Sequence, residues 1–159
     1  MENWKSQDLE ETMSITEEDL GQLISDATAV SLIPSHITVD VNVDPLKLSL
    51  DNVKMRRVMD NLIRNAIEAM EDGGRLTISA REAEHERVID VTDTGISIPE
   101  TERENLFKPF YTTKPSGIGL GLTYCKWTVE AHKGTIEVES KAGEGTKITI
   151  SMPKTLETE

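Results

Sequence analysis

The chain has 159 residues and a formal net charge of -12, with 29 acidic residues against 17 lysines and arginines. This length supports one domain with its own hydrophobic core, so stability requires neither disulfides nor a structural metal. The acidic balance argues against a nucleic-acid-binding surface, because phosphate backbones are bound by clustered lysines and arginines.

The sequence also indicates the compartment. Cys125 is the single cysteine and has no disulfide partner in the chain, which is typical of a reducing environment. The sequence contains no signal peptide and no run of 18 apolar residues, so we expect a cytoplasmic domain without membrane contact of its own. A membrane anchor elsewhere in a longer protein would leave no trace here.

Charge is unevenly distributed along the chain. Residues 1–26 hold eight acidic residues and one basic residue, Lys5, which suits a solvated linker or helix surface. We predict an acidic linker or tail at residues 1–15, a folded domain at 16–153 and a C-terminal tail at 154–159.

The pattern of apolar residues predicts alternating helices and strands. Residues 16–19 have the form of a capping box and precede apolar residues at helical spacing, which predicts a first helix over about 17–31. Alternating apolar and polar residues over 37–43 and 46–50 predict a two-strand hairpin. A helical period then runs from Asp51 to a pair of glycines and predicts the longest helix.

The second half of the domain adds a long segment of little regular pattern. Residues 93–118 suggest only a short helix that Pro99 starts, and so long an irregular stretch in a small domain is usually functional. A further helix is predicted to end near residue 132. We predict the remaining strands near 75–82, 87–93, 134–140 and 146–152. The sum is an α+β fold, a two-layer sandwich of about five strands in a mixed, mostly antiparallel sheet with three main helices on one face.

Two asparagines stand four residues apart on the longest predicted helix. Asn61 and Asn65 therefore share one face, although helix interiors disfavour asparagine. Both side chains could simply face solvent or bond a neighbouring loop. Alternatively, an amide oxygen could coordinate Mg²⁺, which takes hard oxygen ligands and is shared with phosphates.

A carboxylate ends one of the predicted strands. Asp93 is followed two residues later by Gly95, so the carboxylate could accept a hydrogen bond from the exocyclic amine of an adenine at close approach. An ordinary Asx-turn explains an isolated Asp-x-Gly equally simply.

Three glycines at alternate positions, Gly117, Gly119 and Gly121, precede the last predicted helix. Backbone N–H groups along this run could converge on an anion, assisted by the helix dipole. Such a run could also serve only as a hinge, since it matches neither common nucleotide-binding glycine motif. Lys108 and Lys114 lie just upstream, and in an acidic chain this placement of positive charge favours a phosphate.

These segments occur in a characteristic order: NLIRNA at 61–66, DTG at 93–95, FKPFYTTK at 107–114, GIGLGL at 117–122 and GEGT at 143–146. Together they resemble the catalytic, ATP-binding domain of sensor histidine kinases in the GHKL superfamily, over about residues 17–153. The short glycine-rich lid is most similar to the nitrogen-regulation type. The resemblance implies the Bergerat fold, an ATP-binding catalytic domain at 16–153, and ATP and Mg²⁺ as ligands.

The resemblance also implies roles for individual residues. Asn65 would bind Mg²⁺, and Asn61 would support the metal or phosphates from one turn earlier. Asp93, with Gly95 beside it, would accept from the adenine amine. Two further residues would complete the base site, with Thr146 acting through a water and Ile98 as an apolar wall.

The lid would act at the phosphate end. Lys114 would contact the γ-phosphate and share the catalytic role with Asn61. Backbone donors and hinge positions would come from Gly117, Ile118, Gly119, Leu120 and Gly121. Phe107 and Phe110 would anchor the lid in the core.

One position departs from the family pattern. Members commonly carry a second glycine where this chain has Ser97. If that position needs a positive φ, serine costs about 1–2 kcal/mol; otherwise the turn takes another shape.

Kinases of this type phosphorylate a histidine in a separate helical dimerisation and phosphoacceptor (DHp) domain, and a response regulator receives the group next. Neither is expected in this chain, since His36, His85 and His132 are interpreted as surface or capping residues. We therefore expect a domain that binds ATP and does not phosphorylate itself.

Two alternatives remain open. A nucleotide-sensing or docking module would bind a nucleotide without catalysis. The departure from the family pattern at Ser97 is the feature that favours this alternative. A GHKL-type ATPase would need a carboxylate to activate water one turn before the Mg²⁺ asparagine, where this chain has Asn61.

Overall fold

A computed structural model describes residues 13–108 and 121–154 of the chain. Within these ranges the elements are β1 (Thr16–Asp19), α1 (Leu20–Val30), β2 (Ile37–Val43), β3 (Lys47–Leu50), α2 (Asn52–Ala69), β4 (Gly74–Glu82), β5 (Glu86–Asp93), a 3₁₀ helix (Glu100–Asn105), α3 (Gly121–Ala131), β6 (Thr135–Lys141) and β7 (Gly145–Pro153). None of the helices in these ranges is long and apolar enough to cross a bilayer. The predicted tails lie almost wholly outside the described residues.

Five strands form one mixed sheet in the order β2-β4-β5-β7-β6. Only β2 and β4 are parallel, and the other neighbours are antiparallel. On one face Ile78, Val91 and Ile148 lie side by side and are buried with the three helices. On the other face Thr149 donates a hydrogen bond of 2.7 Å to Asp90. This division into an apolar and a polar face confirms the predicted two-layer α+β sandwich.

The helices form where apolar residues recur at helical spacing. The longest, α2, buries Met55, Val58, Met59, Leu62, Ile63 and Ala66. Its first turn is capped by Asp51, whose carboxylate accepts from the Lys54 N–H at 3.0 Å. In α3, Cys125 is fully buried, and burial raises the pKa of its thiol to about 12. The cysteine therefore packs as a small apolar side chain.

The prediction for the first strands was wrong in two respects. Residues 16–19 form β1 and pair with β3, and the capping side chain of α1 is that of Asp19 rather than Thr16. The predicted hairpin of 37–43 and 46–50 does not form, because β2 pairs with β4 instead. Alternation identifies the buried face of a strand, but it does not identify the neighbouring strand.

His132 was predicted to be a surface or capping residue, and the surface alternative is wrong. Its side chain is fully buried, its Nε2 accepts from the Asp51 N–H at 3.0 Å, and its Nδ1 lies 2.7 Å from the Thr128 carbonyl oxygen. A neutral imidazole with its proton on Nδ1 satisfies both contacts. His132 thus joins the end of α3 to the start of α2, whereas His36 and His85 are exposed as predicted.

Candidate functional site

The first part of the site is a buried carboxylate at the end of β5. Asp93 lies opposite Thr146 of β7, and both residues are buried. Burial raises the pKa of the Asp93 carboxyl above its ordinary value of 3.8, while backbone hydrogen bonds from Gly95 and Thr146 oppose this shift. The Gly95 N–H is 2.9 Å from Asp93 Oδ1. This carboxylate can accept a further hydrogen bond from a ligand donor.

The turn after Asp93 packs against the end of α2. A Cβ at Gly95 would overlap the carbonyl oxygen of Ala69, and the next residue, Ile96, donates its N–H to that oxygen at 2.9 Å. Glycine is required here for space against α2, whereas the sequence had suggested it for the close approach of a ligand.

The opposite part of the site lies where α2 meets the start of α3. The Asn61 amide nitrogen lies 3.5 Å from the Gly121 carbonyl oxygen. Asn65 follows one turn later on α2 and is half-buried. The described ranges contain no cluster of three or more His, Cys, Asp or Glu side chains that could hold a metal. Side-chain amide oxygens, such as those that Asn61 and Asn65 carry, form with water and phosphate a donor set that suits Mg²⁺.

Most of the predicted lid lies outside the described residues, including Lys114, Gly117, Ile118, Gly119 and Leu120. Its near end is described up to Lys108. There, Thr123 of α3 donates its hydroxyl to the Phe107 carbonyl oxygen at 3.0 Å. The Lys126 ammonium lies 5.7 Å from the centre of the Phe107 ring. These contacts attach the near end of the predicted lid to α3.

Ser97 causes no backbone strain. Within the described residues only Lys133 among the non-glycines has a positive φ, so the turn takes the alternative shape. The Ser97 hydroxyl donates to the Lys141 carbonyl oxygen at 2.5 Å. Ile98 is half-buried and its N–H donates to Ser140 Oγ at 2.8 Å. The serine thus joins this turn to the hairpin between β6 and β7.

Two residues beside Asp93 were missed as site residues. Gly145 has a φ of 87°, and a Cβ there would overlap the Asp93 carbonyl oxygen. The GEGT segment was the available signal for it. Ser140 is buried beside Thr146, with 3.0 Å between the two hydroxyl oxygens. A serine near the end of a strand gives no comparable signal.

Comparisons with known proteins agree with this geometry. A family model described as "Histidine kinase-, DNA gyrase B-, and HSP90-like ATPase" matches residues 50–156. Sporulation kinase C of Bacillus subtilis (strain 168) is 34% identical over 140 residues, which cover 84% of this chain and 33% of that protein. Sporulation kinase A of the same organism is 40% identical over 111 residues, covering 70% and 18%.

Solved structures give the same result. The nucleotide-free catalytic domain of histidine kinase ThkA matches with a TM-score of 0.82 and 31% identity, covering 90% of this chain and 97% of that one. The mycobacterial sensor histidine kinase MprB matches with a TM-score of 0.81 and 27% identity, covering 91% and 100%. The chain spans about a third or less of the curated relatives' length. It belongs to the family of histidine kinase-, gyrase B- and HSP90-like ATPases, as a catalytic, nucleotide-binding domain of the sensor histidine kinase type.

Proposed function

We propose that this domain binds Mg-ATP and transfers the γ-phosphoryl group to a histidine on a separate DHp domain, from which a response-regulator aspartate receives it. One observation carries the proposal. Asn61, Asn65 and Ala69 follow one another at single-turn steps along α2, and the first and last of them contact Gly121 and the Gly95 turn. Eight helical residues span about 12 Å, so one nucleotide could reach both ends.

The base would bind at the Gly95 end. Asp93 would accept a hydrogen bond from the adenine amine, which would offset the free-energy cost of burying the carboxylate. Thr146 would act through a water, and Ile98 would cover one face of the base. The contact of Gly95 with Ala69 supports this arrangement, because it fixes the turn that carries Asp93.

The phosphates would bind at the Gly121 end. Asn65 would hold Mg²⁺ and Asn61 would support the metal or the phosphates. When bound, the ion would neutralise charge on the phosphates. Lys114 would contact the γ-phosphate, and backbone N–H groups of residues 117–121 would contact the remaining phosphate oxygens.

The expected reaction is an in-line displacement. A nitrogen of the acceptor imidazole bonds to the γ-phosphorus while the bond to the β–γ bridging oxygen breaks, and ADP leaves. The domain contributes binding and orientation, because the acceptor histidine supplies the nucleophile. Asn61 cannot take a proton from water, which disfavours hydrolysis.

Calorimetric titration with ADP, with and without Mg²⁺, tests the binding site. We expect micromolar to submillimolar binding that Asp93→Asn and Asn65→Ala both weaken, and Asn65→Ala should remove most of the Mg²⁺ dependence. Absence of binding at millimolar ADP in a folded sample would contradict the proposal. A folded fragment of residues 16–153 should bind equally well if the proposed domain boundaries are right.

Phosphoryl transfer needs a second assay. The domain would be mixed with a separately produced DHp domain and radiolabelled ATP, and acid-labile phosphohistidine would be measured. A chain that binds ADP but labels no cognate acceptor would instead be a nucleotide-sensing or docking module. Release of inorganic phosphate without an acceptor would indicate an ATPase.

A further inference from the structure

Ser140, on β6, contacts three groups of the proposed base site. It is 4% exposed and lies opposite Thr146 in the β6–β7 pair. Its Oγ is 2.8 Å from the Ile98 nitrogen, 2.9 Å from the Gly145 carbonyl oxygen and 3.0 Å from Thr146 Oγ1.

Only one assignment of hydroxyl protons makes all three contacts hydrogen bonds. A carbonyl oxygen can only accept, so the single hydroxyl proton of Ser140 points to Gly145. The Ile98 N–H can only donate, so it occupies one acceptor position of Ser140. The remaining acceptor position faces Thr146, whose hydroxyl proton therefore points to Ser140. Thr146 is left with lone pairs alone for any other partner.

Further contacts hold Ser140 in place. The Arg103 guanidinium donates to the Ser140 carbonyl oxygen, and the Ser97 hydroxyl donates to the carbonyl oxygen of the next residue, Lys141, at 2.5 Å. Both donors come from the segment that follows Asp93. The position of Ser140 is therefore stabilised by the segment that directly follows Asp93, the carboxylate proposed to bind the base.

We propose that Ser140 is a positioning residue for base specificity, because it commits the Thr146 hydroxyl proton, so that Thr146, like Asp93, presents an acceptor to the nucleotide base. This inference rests on the proposed function. A water between Thr146 and an adenine could donate one proton to each, since N1 of adenine accepts. Hypoxanthine has an N1–H and a carbonyl oxygen in place of the amine, so that oxygen would face the Asp93 acceptor unpaired.

The test compares ADP with IDP in binding to the unaltered chain and to Ser140→Ala. In the variant the Thr146 hydroxyl is free to turn and donate. We expect ADP affinity to fall about fivefold, which corresponds to the loss of one ordinary hydrogen bond. IDP affinity should fall less than twofold, so the ratio of ADP affinity to IDP affinity, here called the ADP preference, becomes smaller. Ser140→Thr retains the hydroxyl and should restore the preference.

Ser151→Ala is the matched control, since Ser151 stands on β7 outside the base site and opposite Val88 and Thr135. An equal loss of affinity for both nucleotides in Ser140→Ala, or an unchanged ADP preference, would overturn the inference and leave the proposed function standing.

If circular dichroism shows that Ser140→Ala does not fold, Thr146→Val replaces it. This variant should reduce the ADP preference in the same way, and retention of the preference would overturn the inference. No binding of ADP to the unaltered chain would overturn the proposed function as well.

Discussion

Asp93 carries a carboxylate where water is largely excluded, at the end of β5 and opposite Thr146. Because burial raises its pKa in the folded state, the folded chain holds this proton more tightly than the unfolded chain. The resulting stabilisation is fully present below the unfolded pKa of about 3.8 and is lost as pH rises through the folded pKa. Ionisation of Asp93 in the folded chain therefore costs stability.

Asp93→Asn should weaken ADP binding without lowering the free energy of unfolding. The amide oxygen can still accept the Gly95 N–H, so we expect the free energy of unfolding of the ligand-free chain to stay level or rise. ADP affinity should fall about 10-fold or more, because a charge-assisted hydrogen bond of about 1.5–3 kcal/mol is lost. Urea unfolding and calorimetry measure the two effects. A less stable variant with unchanged ADP affinity would contradict this role.

Three glycines allow the effect of lost space for a side chain to be separated from the effect of a positive φ. Gly143 has a positive φ but free space, Gly95 has no space for a Cβ, and Gly145 combines both restrictions. Each replaced by alanine should lower the free energy of unfolding, by about 1–2 kcal/mol for Gly143 from strain and about 1–3 kcal/mol for Gly95 from overlap. Gly145→Ala should be the most damaging in urea unfolding. A Gly145 variant no worse than the Gly143 control would show that the Asp93 backbone moves aside cheaply.

At the scale of whole elements, two helices are capped by an aspartate, and the two aspartates have different surroundings. Asp51 is buried and accepts from the N–H groups of Lys54 and Ser14, at 3.0 and 2.9 Å, whereas Asp19 is exposed and accepts from Gln22 at 3.1 Å. Burial raises the pKa of the Asp51 carboxyl, but the hydrogen bonds that it accepts lower this pKa by a larger amount. The net shift is therefore downward from 3.8. Its stabilisation is thus present above pH 3.8 and is lost below it.

Asp51→Ala should therefore destabilise the chain more than Asp19→Ala. We expect about 2 kcal/mol for the buried cap, which leaves two N–H groups without their acceptor, and about 0.5–1 kcal/mol for the exposed cap. Thermal and urea unfolding of both variants at pH 7 provide the comparison. Equal losses would mean that water replaces the Asp51 contacts.

Strand pairing marks the limit of prediction from this sequence. The existence of β2 and the burial of alternate residues in β3 followed from their polarity patterns. The partners of these strands did not follow from the sequence. Strand β2 pairs in parallel with β4, from which all of α2 separates it along the chain, and β3 pairs with β1, whose TEED sequence has no strand pattern. Local side-chain patterns contain no information about such distant partners.

For the site, the sequence pointed to positions where the residue type itself is unusual, and the roles proposed for these residues stay predictions. Asp93 and Gly95 stand out because a buried acid and a missing side chain are each unusual at a strand end. Ser140 could not be found in this way, since its role depends on three groups that only the fold brings together. For Ser97 the sequence left open either backbone strain or another turn shape, because a backbone φ cannot be read from one residue type; the structure has the other turn shape.

At the scale of the whole molecule, protonation of His132 makes the free energy of unfolding depend on pH. Burial lowers its pKa below 6.5; the Thr128 carbonyl and Asp51 act in the opposite direction, and Lys54 adds to the lowering. Since the unfolded chain takes up this proton first, the stabilisation is complete above about pH 6.5 and is lost as pH falls through the folded pKa. Protonation would also remove the acceptor at Nε2 that receives the Asp51 N–H.

His132→Gln isolates this contribution from the opposing one of Asp93. At pH 8 the variant should be less stable by about 1–3 kcal/mol, because a buried hydrogen-bonding group is replaced imperfectly. The difference from the unaltered chain should shrink as pH falls from 7 to 5, since only the unaltered chain loses stability through this imidazole. Urea unfolding at each pH gives the profile, with the exposed His85→Gln as the control. A gap that stays constant with pH would mean that His132 takes up its proton equally readily in the folded and unfolded chains, and that the link between α3 and α2 is insensitive to acid.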